Sequence, residues 1–85
     1  MGRYKIVLRK SVAKDLTGIP KKEARRIVSA IRALAEDPRP PGSKKLSGQE
    51  RYRIRQGRYR VLYSIDDDVL IVTVVRVGNR RDVYR

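Results

Sequence analysis

Arg53, Arg55, Arg58 and Arg60 crowd the segment Tyr52-Arg53-Ile54-Arg55-Gln56-Gly57-Arg58-Tyr59-Arg60, and their spacing suits one kind of chemistry, the grip of closely spaced negative charge. The segment reads as a β-hairpin closed by either Gln56-Gly57 or Gly57-Arg58. With either turn, the side-chain period of two puts Arg53 and Arg55 on the same face as Arg58 and Arg60. Tyr52, Ile54, Tyr59, Val61 and Tyr63 then share the opposite, apolar face. Like charges facing each other across an antiparallel pair cost a few tenths to about 1 kcal/mol, so folding alone would not select this pattern. A phosphate-rich ligand relieves the repulsion. Arg58, at the tip, suits a solvated role and a phosphate contact equally well.

The elements that must position these arginines are readable in outline. Residues 3–9 alternate, with Tyr4, Ile6 and Leu8 on one side and Arg3, Lys5 and Arg9 on the other, as a half-buried strand does. Ser11 is placed to cap a short helix carrying Val12 and Leu16, which Gly18 ends. From Pro20, residues Ala24, Ile27, Val28, Ile31, Leu34 and Ala35 follow helical spacing until Asp37 meets Pro38. The outer side of that helix carries Lys21, Lys22, Arg25, Arg26 and Arg32, as a solvated surface or an auxiliary nucleic-acid contact. Residues 38–49, rich in Pro, Gly and Ser, form a surface connection from which Lys44 and Lys45 can reach phosphates. After the hairpin, the strand running to Ile65 is followed by a turn at Asp66 to Asp68, and Val69 to Val77 is an apolar, β-branched strand inside the sheet. The order predicts one α+β domain over residues 1–85: an N-terminal strand, a helical hairpin, then a three-stranded antiparallel meander. Together they make one curved four-stranded sheet with both helices on one face, the other face being left to the arginines.

Composition sharpens the choice of partner. The 85 residues hold 22 Lys and Arg against 9 Asp and Glu, a formal charge of +13, which favours a nucleic acid bound with strong salt dependence. With no cysteine and no histidine, disulfides, thiol chemistry and imidazole catalysis are excluded. Three neighbouring aspartates in a tight turn diverge, so no metal site and no cofactor are expected. No apolar run is long enough for a membrane span, and a cytoplasmic location is expected.

Four stretches together, Lys44-Lys45-Leu46-Ser47-Gly48, Tyr52-Arg53-Ile54-Arg55, Tyr59-Arg60-Val61-Leu62-Tyr63 and the final run Val77-Gly78-Asn79-Arg80-Arg81-Asp82-Val83-Tyr84-Arg85, resemble the RelE/ParE toxin superfamily. The likeness spans the whole chain and is nearer the RelE branch. It implies the toxin of a type II toxin–antitoxin pair, a metal-independent, ribosome-dependent endoribonuclease that cuts mRNA in the A site. The alternative within the same fold is a ParE-like gyrase poison or a catalytically weak nucleic-acid or ribosome-binding protein. The implied partners are a cognate antitoxin in a hetero-oligomer, the ribosome and its message, with no membrane.

Metal-free RNA cleavage needs a group that helps deprotonate the 2′-hydroxyl, cations around the phosphorane and an acid for the departing 5′-oxygen. The resemblance implies Arg55, Arg60, Arg80 and Tyr84 as the catalytic set; Arg53, Arg58, Arg81, Lys44 and Lys45 are the expected RNA-binding residues. Arg60 and Arg80 suit bidentate phosphate contact, and Tyr84 suits stacking on a base or a hydrogen bond near the 2′-hydroxyl. Where relatives often carry lysine on the second strand or histidine near the C-terminal glycine, this chain has Arg53, Arg55 and Asn79. Arginine stays protonated and accepts protons poorly, which leaves Tyr84 as the base, or catalysis that rests mainly on in-line positioning of the 2′-oxygen.

Overall fold

The computed structural model describes residues 3–46 and 51–79. Strand β1 (Lys5–Leu8) leads into helices α1 (Lys10–Thr17) and α2 (Lys21–Ala33); strands β2 (Lys44–Lys45), β3 (Arg51–Gln56), β4 (Tyr59–Asp66) and β5 (Ile71–Asn79) follow. They form one five-stranded mixed sheet in the order β1-β5-β4-β3-β2. The β3-β4-β5 meander is antiparallel, as the alternation and turn residues predict, and β1 joins the outside of β5 in parallel.

The expected four strands become five because Lys44 and Lys45 pair with Arg53 and Tyr52, turning part of the surface connection into an edge strand. Two residues are too short to carry a period, so composition alone reads the segment as loop. The turn after β4 is also longer than expected. Asp66 Oδ1 accepts hydrogen bonds from the backbone N–H groups of Asp68 (3.0 Å) and Val69 (3.4 Å), and Leu70 takes a positive φ of 56°, so β5 starts at Ile71.

Both helices cover the apolar face of the meander. Val12 of α1, Ile27 and Ile31 of α2, and Leu34 at its end pack with Ile54, Val61, Tyr63, Val72, Val74 and Val77. The helical spacing that began at Pro20 is confirmed, with Pro20 at the N-cap position. The regular helix ends at Ala33, four residues before Asp37, because the N–H groups of Leu34, Ala35 and Glu36 bond three residues back and tighten the last turn. Tyr63 is fully buried, stacks on Tyr52 with ring centroids 5.9 Å apart, and donates its hydroxyl to the Pro38 carbonyl at 2.7 Å. Burial pushes its phenol up to about 12.

Ser11 is not a cap. It lies inside α1, whose N-cap is Arg9, and its hydroxyl donates to the carbonyl of Val75 at 3.4 Å. Asp15 Oδ2 accepts from the Val77 backbone N–H at 3.1 Å. β1 runs beside β5 only as far as Val74, so these two α1 side chains take over backbone groups that an edge strand would otherwise leave to water. They fix the far half of β5, the half that faces the arginine hairpin. Among the described residues, no helix is long and apolar enough to cross a membrane.

Candidate nucleic-acid interface

The arginine hairpin closes through Gly57-Arg58, since Gln56 pairs with Tyr59. Gly57 alone of the two turn residues has a positive φ, 61°, the signature of a type II′ turn and a reason for glycine at this position. In a two-residue hairpin the pair flanking the turn shares hydrogen bonds and the next pair does not, so Arg55 and Arg60 face each other in a closely spaced, non-hydrogen-bonded pair.

The four arginines do not share one environment. Arg53 and Arg60 are only 8% and 6% exposed, with Nε atoms shut away from solvent, whereas Arg55 and Arg58 are exposed. A hidden guanidinium cannot swing freely, so Arg53 and Arg60 are held in place before any ligand arrives. Arg55, Gly57, Arg58, Tyr59 and Arg60 line a shallow concavity of about 150 Å3 beside the turn. A phosphate placed there meets donors from two strands.

Register sorts the two lysines that sequence treats alike. Lys44 lies beside Arg53 and shares its face, while Lys45 lies beside Tyr52 and shares the helix-covered side. Two further cations on the arginine face escape a reading that starts from the hairpin. Arg51 has the same strand parity as Arg53 and Arg55 and stands opposite Ser64; Arg76 pairs with Leu62, exposed, in a strand that reads as an apolar run. The signal for Arg76 is its place one residue before the buried Val77. A register shift between Leu62 and Tyr63 adds to it, bringing Val75 onto the Leu62 side, where both pack with Leu46.

Two acidic side chains, Asp67 and Glu23, are engaged away from this face. Asp67 accepts both guanidinium nitrogens of Arg39 (2.9 and 3.3 Å) and the Tyr4 hydroxyl (2.7 Å), contacts that hold its carboxyl below the ordinary carboxylate value. Glu23 hydrogen-bonds the Tyr59 hydroxyl and raises that phenol above its ordinary value. Tyr52, Tyr59 and Tyr63 stay on the helix side, as expected of core aromatics. Arg80, Arg81 and Tyr84 lie outside the described residues.

Comparison with known proteins points one way. Residues 6–84 match the family described as the ParE toxin of the type II toxin–antitoxin system parDE. A protein named toxin RelG from Mycobacterium tuberculosis is 31% identical over 86 residues, covering 96% of this chain and 97% of that protein. A putative toxin RelE1 from Methanocaldococcus jannaschii is 28% identical over 98% of this chain and 97% of its own length. Among solved structures, the archaeal RelE–RelB complex from Pyrococcus horikoshii matches with a TM-score of 0.84 at 29% identity, covering 95% of this chain and 99% of that one.

Proposed function

From the premise that this chain belongs to the ParE toxin family of type II toxin–antitoxin systems, within the RelE/ParE superfamily, we propose that it cuts mRNA on the ribosome as a metal-independent endoribonuclease. The observation that supports this most is the close Arg55–Arg60 pair beside the Gly57-Arg58 turn. Two opposed arginines raise the energy of the empty fold and are matched by a phosphate that gains charge as it reacts.

In the reaction the ribose 2′-oxygen attacks the adjacent phosphorus, its proton goes to a base, and the 5′-oxygen leaves with a proton from an acid. The products are a 2′,3′-cyclic phosphate and a free 5′-hydroxyl. Arg60, held in place, and the exposed Arg55 bind the non-bridging oxygens where charge builds up. Arg80 and Tyr84 complete the set by their family positions, with Tyr84 at the 2′-hydroxyl. Arg53, Arg58, Arg81 and Lys44 are proposed to hold the strand, while Lys45, on the helix-covered side, is left out of it. In a chain without histidine, in-line positioning on the ribosome carries much of the acceleration.

A cognate antitoxin is the partner that restrains this activity, by analogy with the RelE–RelB complexes of similar fold. A basic toxin surface suits an acidic or amphipathic antitoxin segment that folds on binding.

The family's ParE label favours one second reading, poisoning of DNA gyrase. Primer extension on a message under translation in a purified cell-free system, with a ribosome-free control, separates the two. Cleavage in the A-site codon only when ribosomes are present supports the nuclease; an intact message at growth-arresting concentrations overturns it and makes gyrase supercoiling the next assay.

A further inference from the structure

The cations on the face of the sheet opposite the helices form successive rows, with Lys44 and Arg76 exposed and Arg53 and Arg60 buried. Nearest the turn, Arg55 and Arg60 are in register with Gly78. Two residues along, Lys44, Arg53, Leu62 and Arg76 form the next row, and Arg51, Ser64 and Thr73 the third. Each step of two residues along a strand advances about 6.6 to 6.8 Å, comparable to the separation of neighbouring phosphates along an extended single strand. The middle row has cations at three of its four positions around Leu62, which packs with Val75 and Leu46. The side chains of Arg51 and Arg76 form no ion pair with any described residue.

We infer that Arg76 and Lys44, with Arg51 beyond them, form a second and third phosphate subsite, so that single-stranded polynucleotide runs along β3 away from the Gly57-Arg58 turn, one phosphate to a row. The inference rests on the proposed nuclease reading for the reacting phosphate in the first row. It adds binding residues outside the hairpin and a direction for the strand. Gly78 has its own place in this arrangement, because a side chain there would stand beside Arg60 in the row that receives the reacting phosphate. The contacts are to backbone, so they carry affinity and not base preference.

The test is the salt dependence of binding to a short 2′-O-methyl oligoribonucleotide of mixed sequence, which cannot be cut, measured by fluorescence anisotropy on the full chain. Each lost phosphate contact lowers the slope of log K against log salt by about 0.7 for a single strand. Arg76→Ala and Arg51→Ala should each lower it by about that much and weaken binding several-fold whatever the base sequence, while Lys14→Ala on α1 leaves the slope alone. Slopes equal to wild type in both arginine variants overturn the subsites. So does a loss confined to antitoxin binding, which would make the face a protein-docking surface. The readout does not need cleavage, so failure of the nuclease reading is seen separately, in the primer-extension assay. There, Arg76→Ala should raise the half-saturating toxin concentration more than it lowers the limiting rate.

Discussion

Strand β3 has an arginine on each of its two sides, and the two are treated in opposite ways. On the Tyr52 side, Arg39 lies 5.1 Å from the ring centroid, touches the Tyr52 hydroxyl at 3.3 Å and binds Asp67, so its charge is answered by a carboxylate and an aromatic face. On the Arg53 side, Arg55 faces Arg60, and the neighbouring rows add Lys44, Arg51 and Arg76. The first arrangement lowers the energy of the folded chain. The second sets like charges against each other across two strands, a cost that a bound polyanion would relieve.

The largest effect should come from breaking the unmatched side. Arg60→Ala or Arg55→Ala is expected to lower mRNA cleavage by about a hundredfold to a thousandfold, the scale of losing one preorganised donor to developing charge. Arg39→Ala, on the matched side, should leave the cleavage rate near wild type. Rates from primer extension, with circular dichroism to verify folding, decide this; equal losses on the two sides would erase the contrast.

How much of this contrast could be read from sequence depends on the length scale of the signal. Arg53, Arg55 and Arg60 on one face, and Ile54, Val61 and Tyr63 on the other, follow from period two and a two-residue turn, and the structure has both sets as expected. Ile27, Ile31 and Leu34 follow from helical period in the same way. What escaped depends on pairing across the sheet. Lys44 and Lys45 differ only by which residue of β3 each meets, and Arg76 is a single polar residue whose face is set by its register with Leu62. Asp15 and Ser11 look like ordinary surface residues of α1, and only the point where β1 stops running beside β5 shows why they bond to its backbone. The Arg39–Asp67 pair joins residues 28 apart in loops that have no period at all.

Stability should respond with the opposite pattern. Tyr63 supports the matched side from below, stacked under Tyr52, and Tyr63→Ala is expected to cost about 3 to 5 kcal/mol in chemical denaturation. Tyr63→Phe should cost about 1 to 3 kcal/mol by leaving the Pro38 carbonyl without its donor. Because Tyr63 stays neutral in the fold up to about 12, its contribution is complete below the ordinary phenol value of 10 and is lost between there and 12. The Phe variant should therefore lose less stability over that alkaline range. Removing a charge from the unmatched side does the reverse: Arg55→Gln should raise stability by a few tenths to about 1 kcal/mol, and added salt should stabilise wild type more than this variant. A destabilised Arg55→Gln protein would mean the pair is already balanced within the chain.

Acid offers the smallest effect and the cleanest separation of the two sides. The Asp67 carboxyl is held low first by hydrogen bonds from Arg39 and then by the Tyr4 hydroxyl. A depressed carboxyl contributes stability that is fully present above its unfolded value, near 3.8, and that disappears as pH falls through the lowered folded value. Wild type and Arg39→Ala should therefore differ in melting temperature at neutral pH and converge as pH drops below that range, since protonated Asp67 no longer favours Arg39. Wild type and Arg55→Gln should keep their difference over the same range, because arginines facing arginines have no proton to gain. The two pairs of melting curves, taken in one buffer series at constant ionic strength, test whether the charge on one side of β3 is answered inside the chain and the charge on the other side is not. If the Arg39 difference persisted in acid, the Tyr52 ring and not Asp67 would be its main partner, and the matched side would rest on the cation–π contact.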